Sequence, residues 1–188
     1  MRQSQFFTKT SKQLNQEETS ANAQLLVRGG YIDKLMAGVY TLLPLGKRVV
    51  DHIQQIIREE MNSVAGQEVS MPALHPKDNW VKTGRWDSMR DILYTIDDGG
   101  GHEYTLGPTH EEIVVPLVKQ FVQSYKDLPI AVYQFQSKFR KELRPKSGIL
   151  RGREFLMKDM YSFHATTADL DTYYDQVIAA YLRVFQRL

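Results

Sequence analysis

Two predicted strands in the second half of the chain carry side chains that together suit a nucleotide. The segment Ala131 to Glu142 alternates strictly between apolar and polar residues, which predicts a strand whose polar face includes Arg140 and Glu142. A second predicted strand, Arg153 to His164, carries Phe155 on one face. A guanidinium binds phosphate oxygens as a fork, a phenyl ring stacks on a base, and a carboxylate accepts from an exocyclic amine. These residues predict a nucleotide-binding sheet surface, although a simple cross-strand ion pair explains an Arg and a Glu equally well.

The loop between these strands, residues 143–152, is basic and longer than a hairpin needs. The window Lys138 to Lys158 holds eight Lys or Arg residues against two Glu, a local charge of +6 in a chain whose net charge is +2. Such a cationic patch favours a phosphate-bearing partner, either a nucleotide or RNA. A solvated basic loop is the alternative that charge alone leaves open.

A third candidate segment begins at Thr109. Thr109 followed three residues later by Glu112 predicts a capping box at the start of a helix that runs to about Tyr125. Pro116 falls inside this helix, where it should kink the helix or move the true start downstream. Glu111 is a first-turn acid, which the helix dipole favours whatever its function.

Other patterns predict the elements that position these residues. We expect three helices: one from Ser20 to Arg28 ended by Gly29 and Gly30, an amphipathic one from Gly46 to Gly66, and one from Thr167 onward. We expect strands from Val39 to Leu43 and at Val69 and Met71, the latter broken at Pro72. A turn at Gly99 to Gly101 should lead into a return strand from Glu103 to Leu106. In the strand Ala131 to Glu142, we expect one face to be core and the other to be a polar surface.

Composition limits the remaining possibilities. Cys is absent, which excludes disulfides, thiolate zinc sites and a cysteine nucleophile. The length of 188 residues and a hydrophobic fraction of 42% suffice for a core. No apolar run is long enough for a bilayer and the N-terminus is polar, so we expect a cytoplasmic protein without a membrane partner. We expect a loosely held arm over residues 1–19 and one domain over 20–188, with structural roles for His110, His164, Trp80 and Trp86.

Several motifs in a fixed order resemble the class II aminoacyl-tRNA synthetases, and in particular the bacterial-type prolyl-tRNA synthetase family. The resemblance rests on a motif 1 helix with a strand ending at Pro72, on Gly84-Arg85-Trp86, on Leu106-Gly107-Pro108-Thr109-His110-Glu111-Glu112, on the motif 2 segment Phe139-Arg140-Lys141-Glu142, and on Arg153-Glu154-Phe155-Leu156-Met157-Lys158-Asp159-Met160-Tyr161-Ser162-Phe163-His164. It spans nearly the whole chain.

This resemblance implies an α+β fold, an antiparallel sheet flanked by helices, assembled as a homodimer through motif 1 with Pro72 at the interface. It also implies a proline–tRNA ligase, which uses ATP and Mg²⁺ to convert L-proline to prolyl-adenylate and transfers the prolyl group to tRNA(Pro). Positioning and charge stabilisation suffice for this chemistry, so the absence of Cys is no objection.

The resemblance further implies roles for the residues that would bind ATP. Arg140 is expected to bind the α-phosphate and the substrate carboxylate, which makes it the catalytic residue. Glu142 is expected to accept from the adenine amino group, and Phe155 to stack on the adenine. Arg151 is expected to contact ATP as well.

Roles for the proline and tRNA residues follow from the same resemblance. Thr109 and Glu111 match the segment that holds the prolyl ammonium, and Met157 matches a side chain of the apolar proline pocket. Arg144 and Lys146 lie in the loop that meets the γ-phosphate or the tRNA acceptor end. Taken without the resemblance, Met157 is equally compatible with a core filler.

Two alternatives stay open from the sequence. One is a non-catalytic synthetase-like paralogue that acts as a dimerising or RNA-binding module, although such relatives usually lose the substrate-contacting side chains retained here. The other is a threonyl enzyme, which would ordinarily use a Cys-containing zinc site. Motif 3 and an anticodon-binding domain are not found in the 188 residues, so we expect this chain by itself to be weakly active or inactive.

Overall fold

The structure, a computed structural model, describes residues 2–12 and 20–188. The α-helices are α1 (Ala21–Arg28), α2 (Pro44–Ser63), α3 (Lys77–Lys82), α4 (Arg85–Ser88), α5 (Glu111–Phe121) and α6 (Thr167–Arg187). The strands are β1 (Ile32–Met36), β2 (Val39–Leu42), β3 (Gln67–Glu68), β4 (Leu74–Pro76), β5 (Tyr94–Asp97), β6 (Glu103–Leu106), β7 (Ile130–Phe139) and β8 (Glu154–Phe163). Short 3₁₀ turns cover Gln3–Gln5, Tyr125–Asp127 and Gly148–Leu150.

These strands form small sheets between helices, which confirms the α+β class. The β1–β2 hairpin stands alone, β5 and β4 flank β6, and β7 lies between β3 and β8. All pairings are antiparallel except β3 with β7, which is parallel. In the β7–β8 ladder Gln134 lies opposite Asp159 and Lys138 lies opposite Phe155. The face of β7 that carries Gln134 and Lys138 is therefore also the face of β8 that carries Phe155 and Asp159, because directly opposed residues point to the same side.

Most predicted element positions are confirmed to within a few residues. The helix α1 begins after Ser20 and ends at Gly29. The helix α2 starts at Pro44, two residues before the predicted Gly46, since the fixed φ of proline suits the first helical turn. The helix α6 starts at Thr167, and the Thr166 hydroxyl accepts from the Asp169 backbone N–H at 3.2 Å.

The N-terminal arm is described only in part. The Ser11 backbone N–H donates to the Arg28 carbonyl at 3.0 Å, so residues 2–12 include a contact with the end of α1. Residue 1 and residues 13–19, over which the arm was also predicted, lie outside the described residues. The domain boundary at residue 20 stays a prediction.

The core consists of three clusters on and beside the central sheet. The first joins α2, β7 and α6, the second joins α5 to the opposite face of β7, and the third fills the space between α3, α4 and the start of β5. Their buried members are Met61, Val64, Tyr133 and Ala180; Met71, Val114, Val118 and Val132; and Trp80, Trp86 and Leu93. The structural role predicted for the two tryptophans is confirmed. Within the described residues, no helix has both the length and the apolar character that a membrane span requires.

The predicted strand at Val69 and Met71 is wrong. The strand β3 covers only Gln67–Glu68, although the Val69 N–H still donates to the Tyr133 carbonyl at 2.8 Å. The Met71 N–H instead donates to the side-chain Oε1 of Gln134 at 3.1 Å. The Gln134 side chain therefore accepts the hydrogen bond that a backbone carbonyl of the neighbouring strand would otherwise accept, and the strand β3 ends at Glu68.

The predicted capping box at Thr109 is also wrong. The capping position belongs to His110, whose side chain makes no capping bond, and the Thr109 hydroxyl donates to the Glu111 carboxylate. Glu112 is buried and accepts from Thr83 and Arg85 rather than from the helix start. Thr109 is engaged by Glu111, two residues away, and Glu112 is engaged by residues of a distant segment, so neither side chain is available for the capping motif.

Pro116 lies inside α5, which ends at Phe121 rather than near Tyr125. A proline removes the hydrogen bond to the carbonyl four residues earlier, here that of Glu112. The Asn79 side-chain amide donates to this carbonyl at 3.0 Å. The neighbouring helix α3 therefore satisfies the group that the proline leaves unpaired.

Candidate active site

A cavity of about 820 Å³ lies where the end of β7 meets the segment before α5 and the basic loop of residues 143–152. Polar and charged side chains from these segments, from α4 and from the residues just after it line the cavity: Arg85, Asp91, Thr109, Arg140, Lys141, Glu142, Arg144, Lys146 and Arg151. The structure thus gathers residues from four segments of the chain at one concave surface, which is where a small molecule binds most readily.

Arg140 lies immediately after β7 and is held from two sides. Its Nε and Nη2 atoms donate to the Pro108 carbonyl at 3.4 and 3.3 Å. Its guanidinium also lies over the Phe155 ring, 5.3 Å from the ring centroid. The predicted phosphate binder and the predicted base-stacking ring are therefore in contact, and both are half-buried.

Thr109 and Glu111 form a second polar group beside Arg140. The Thr109 hydroxyl donates to Glu111 Oε2 at 2.5 Å, and Arg85 Nη1 donates to the same oxygen at 3.2 Å. Burial raises the pKa of Glu111, but hydrogen bonds from Thr109, from its own backbone N–H and from Arg85 outweigh burial and hold this pKa below its usual value. Glu111 is thus an ionised acceptor at neutral pH, suited to an ammonium group.

Glu142 forms an ion pair with Arg151 of the basic loop. Arg151 Nε lies 3.1 Å from Glu142 Oε2, and Arg151 pairs by backbone with Lys146 across the loop. Neither residue lies in β7 or β8, so this pair is not the cross-strand Arg–Glu pair considered as an alternative to nucleotide binding. The ion pair occupies Oε2 of Glu142, and Glu142 still lines the cavity.

A buried polar layer lies beneath the cavity. Lys138 has no exposed surface, and its Nζ lies 2.9 Å from Asp159 Oδ1 and contacts His110 Nδ1. The Tyr161 hydroxyl donates to Asp159 Oδ2 at 2.7 Å and accepts from the His110 backbone N–H at 3.1 Å. Burial lowers the pKa of Lys138, and the Asp159 carboxylate partly offsets this. The layer joins β7, β8 and the Thr109 segment into one rigid floor.

The sequence did not reveal this layer. The alternation of β7 indicated a polar surface, whereas Gln134 and Lys138 are fully buried. The reason is that the segment from Met71 to His110 covers the polar face: His110 Nε2 lies 3.1 Å from the Pro72 carbonyl and His110 Nδ1 faces Lys138. An acceptor on one side and an ammonium on the other favour the Nε2–H tautomer. Burial and the Lys138 charge both lower the pKa of His110, which keeps the ring neutral.

The predicted cationic patch is smaller than its sequence window. Lys138 is buried, and Lys158 lies on the opposite face of β8, where its ammonium sits 4.3 Å from the centroid of the Tyr181 ring. Arg153 donates to the carbonyls of Glu142 and Ala37 and so supports the loop rather than facing the cavity.

Four predicted positions fall outside the residues that line the cavity. Glu111 and Phe155 adjoin it through Thr109 and Arg140. Met157 lies opposite Gln136 in the β7–β8 ladder and is half-buried. Pro72 is exposed, while its carbonyl accepts from both His75 and His110. A role for Pro72 in a dimer stays a prediction.

Arg85 is one of the cavity residues that the site prediction missed, and Asp91 and Lys141 are others. Arg85 lies at the start of α4 and contacts both Glu111 and Glu112. Its place in the Gly84-Arg85-Trp86 segment was the signal that could have found it. Within residues 2–12 and 20–188, no group of three or more His, Cys, Asp or Glu side chains is arranged to hold a metal ion.

Comparison with known proteins places these features in a family. The family model of the class II tRNA synthetase core domain (G, H, P, S and T) matches residues 94–188. The proline–tRNA ligase of Macrococcus caseolyticus is 47% identical over 188 residues, which is 100% of this chain and 33% of that protein. The proline–tRNA ligase of Thermotoga maritima is 46% identical with the same coverage. The chain spans about a third of the length of these relatives.

Solved structures share the fold at lower identity. The Giardia lamblia prolyl-tRNA synthetase in complex with prolyl-adenylate matches with a TM-score of 0.76 and 22% identity, over 82% of this chain and 33% of that chain. The Cryptosporidium parvum enzyme complexed with L-proline and AMP matches with a TM-score of 0.79 and 19% identity, over 94% of this chain and 36% of that chain. With its core domain matched by the family model and its fold shared with these structures, the chain belongs to the class II tRNA synthetase family.

Proposed function

We propose that this chain carries the activation site of a proline–tRNA ligase. The enzyme joins L-proline to ATP as prolyl-adenylate and then transfers the prolyl group to the terminal ribose of tRNA(Pro). The observation that carries this proposal is the convergence of Arg140 with Pro108, Thr109 and Phe155 at one cavity. The names of the relatives and the ligands of the two solved structures support it.

Arg140 is the catalytic residue in this proposal. An oxygen of the proline carboxylate attacks the α-phosphorus of ATP, a new P–O bond forms, and the bond to the β-phosphate oxygen breaks to release pyrophosphate. Negative charge builds on the α-phosphoryl oxygens during attack. A guanidinium already fixed by the Pro108 carbonyl and the Phe155 ring offsets that charge with little reorganisation.

Proline is held by the group next to Arg140. Its secondary ammonium donates to the ionised Glu111 and to Thr109, which are already hydrogen-bonded to each other. Its carboxylate is then directed toward Arg140 on the other side. Met157 supplies an apolar contact for the ring.

ATP occupies the rest of the cavity. Glu142 accepts from the adenine amino group, Phe155 stacks on the base, and Arg151 contacts the phosphates. Arg144 and Lys146 receive the γ-phosphate or the tRNA acceptor end. Mg²⁺ would accompany ATP and neutralise phosphate charge. The full-length protein would work as a homodimer in the cytoplasm.

Replacing Arg140 tests the proposal. In the full-length gene product, Arg140→Ala should weaken binding of a non-hydrolysable prolyl-adenylate analogue by roughly 10- to 100-fold, the usual loss for hydrogen bonds to a charged group. Calorimetry measures the affinity. Arg90→Ala is the matched control, because Arg90 is exposed and lies outside the cavity lining.

A thermal-shift comparison of the prolyl- and threonyl-adenylate analogues tests specificity. Thermal stabilisation by the prolyl analogue alone supports the proposal, and equal stabilisation by both analogues contradicts proline as the substrate. No stabilisation by either would favour a non-catalytic module. Proline-dependent ATP–pyrophosphate exchange should be strong for the full-length product and weak for this chain, so robust turnover by this chain would refute that expectation.

A further inference from the structure

The tip of the β1–β2 hairpin contacts the basic loop of residues 143–152 at its closing end. The Gly38 carbonyl accepts from the backbone N–H groups of Arg153 at 2.7 Å and Glu154 at 3.4 Å. Arg153 Nη1 donates to the neighbouring Ala37 carbonyl at 3.2 Å. Gly152 is so close that a Cβ there would lie 2.8 Å from the Gly38 oxygen. The hairpin therefore fixes the point where the loop enters β8.

The same tip also contacts the opening half of the loop. Gly38 has φ of +78°, and a Cβ at this position would lie 2.9 Å from Pro145 Cβ and 3.0 Å from the Arg153 backbone nitrogen. Glycine alone adopts this conformation readily and permits this approach without displacement of the loop. Gly38 therefore contacts both arms of the loop, at Pro145 and at Arg153, and sets the distance between them.

Helix α1 holds the middle of the loop. The Asn22 side-chain amide donates to the Ser147 carbonyl at 2.9 Å. Gly148 is buried against α1: its Cβ, if present, would lie 2.4 Å from Asn22 Oδ1 and 2.7 Å from Ala23 Cβ. Ala23 itself has no exposed surface. The loop is therefore attached at three points to a part of the chain that does not line the cavity.

We propose that Asn22 and Gly38 are positioning residues that hold the basic loop in the conformation that receives phosphate groups. The inference rests on the proposed function, because the loop presents Arg144, Lys146 and Arg151 to the cavity. An unattached loop of this length would lose conformational entropy each time its side chains bound a ligand. The three attachments already restrict the loop in the free protein, so less entropy is lost on binding. Proline recognition lies on the separate Thr109 segment, so the effect falls on ATP and tRNA.

Asn22→Asp is the first test. The substitution keeps the shape of the side chain but replaces the donating amide with an oxygen facing the Ser147 carbonyl. An acid in the first turn favours the helix, so α1 itself is not weakened. We expect trypsin to cleave the native full-length protein after Lys146 and Arg151 about three- to tenfold faster than in wild type, with an unchanged or higher thermal midpoint. A residue that mattered only for global stability would instead speed cleavage and lower the thermal midpoint together.

Gly38→Ala is the second test, and Gly99→Ala is its matched control. Both glycines have nearly the same positive φ, +78° and +74°, but a Cβ added at Gly99 would meet no atom within 4 Å, whereas one added at Gly38 would meet Pro145. Gly38→Ala should accelerate loop cleavage at least as much as Asn22→Asp does. Gly99→Ala should leave the cleavage rate within about twofold of wild type, because its cost is confined to its own backbone.

Kinetic constants distinguish positioning of the basic loop from a general effect on the enzyme. In pyrophosphate exchange and tRNA charging, Asn22→Asp should raise KM for ATP and tRNA about threefold to tenfold and leave KM for proline unchanged. Wild-type cleavage rates in both loop variants would overturn the inference, as would a rise confined to the KM for proline. Should Gly38→Ala fail to fold, Asn22→Asp decides alone. Loop cleavage by trypsin is measured without substrate. If the wild-type protein showed no exchange activity, the proposed function would be refuted, but the cleavage rates would still test the attachment of the loop.

Discussion

Lys138 carries an ammonium group at a position with no solvent exposure. Its charge is tolerated because Asp159 lies 2.9 Å away and because the neutral His110 ring accepts on the other side. Asp159 in turn accepts from Gln134 at 3.0 Å and from Tyr161 at 2.7 Å. At the scale of the residue, the floor of the site is therefore a compensated buried charge pair, whose stability depends on both partners being present.

Replacing Lys138 alone should be strongly destabilising. Lys138→Met keeps the length of the side chain but leaves the largely buried Asp159 carboxylate without its cation, so we expect the free energy of unfolding to fall by about 3 kcal/mol. Urea denaturation measures the loss. The double variant Lys138→Met with Asp159→Asn should recover part of it, since no unpaired charge then remains. A double variant no more stable than the single one would show that packing, not charge, dominates there.

Helices α2 and α6 form the layer behind the central sheet. Ala180 on α6 is fully buried in the cluster with Met61, Val64 and Tyr133, so the two helices approach closely at a small residue. Glu60 on α2, nearly buried, accepts from Arg183 Nε at 2.6 Å and from Arg187 Nη1 at 2.8 Å. At the scale of the element, α6 is fixed by one close apolar contact and by ion pairs along one edge.

A larger side chain at position 180 should push α2 and α6 apart. Ala180→Leu adds volume to a filled space, so we expect a loss of about 1–3 kcal/mol in the free energy of unfolding. Ala179→Leu is a matched control, because its neighbouring position on the same helix is exposed. The control should change stability by less than about 0.5 kcal/mol. Equal losses in chemical denaturation would mean that helix propensity, not the α2 contact, sets the effect.

The basic residues of β7, β8 and the loop between them lie on two sides of the central sheet. Arg140, Arg144, Lys146 and Arg151 line the cavity, whereas Lys158 lies against α6 on the other face. The cavity side therefore carries a local cluster of positive charge in a chain whose net charge is only +2. Such a surface attracts the phosphates of a nucleic acid end from one direction.

Salt dependence should reveal which cations meet RNA. For a single-stranded oligonucleotide with the tRNA acceptor-end sequence, Arg144→Ala and Lys146→Ala should each lower the slope of log affinity against log salt concentration by about 0.7 in magnitude. Lys158→Ala, the matched control, should leave the slope unchanged. Fluorescence anisotropy over a range of salt concentrations provides the measurement. An equal effect of all three substitutions would contradict a one-sided binding surface.

Most helices and strands and six of the cavity-lining residues could be predicted from the sequence. Hydrophobic periodicity was sufficient for α2 and α6, and strict alternation was sufficient for β7 and β8, because helices and strands repeat with fixed periods. The alternation also implied that Arg140 and Phe155 lie on one face, and the structure brings them into contact. The family resemblance contributed the Thr109 segment, which no local pattern would have joined to Arg140.

Only the tertiary structure decided which polar groups are buried and which partners they have. Lys138 and Gln134 were expected on a polar surface, yet the Met71 to His110 segment covers them. Thr109 and Glu112 fit a local capping motif but bind Glu111, Thr83 and Arg85 instead. The attachment of the basic loop to Asn22 and Gly38 joins residues more than a hundred positions apart. A periodic pattern reports only which face a side chain takes, and what covers that face depends on long-range packing that no local window contains.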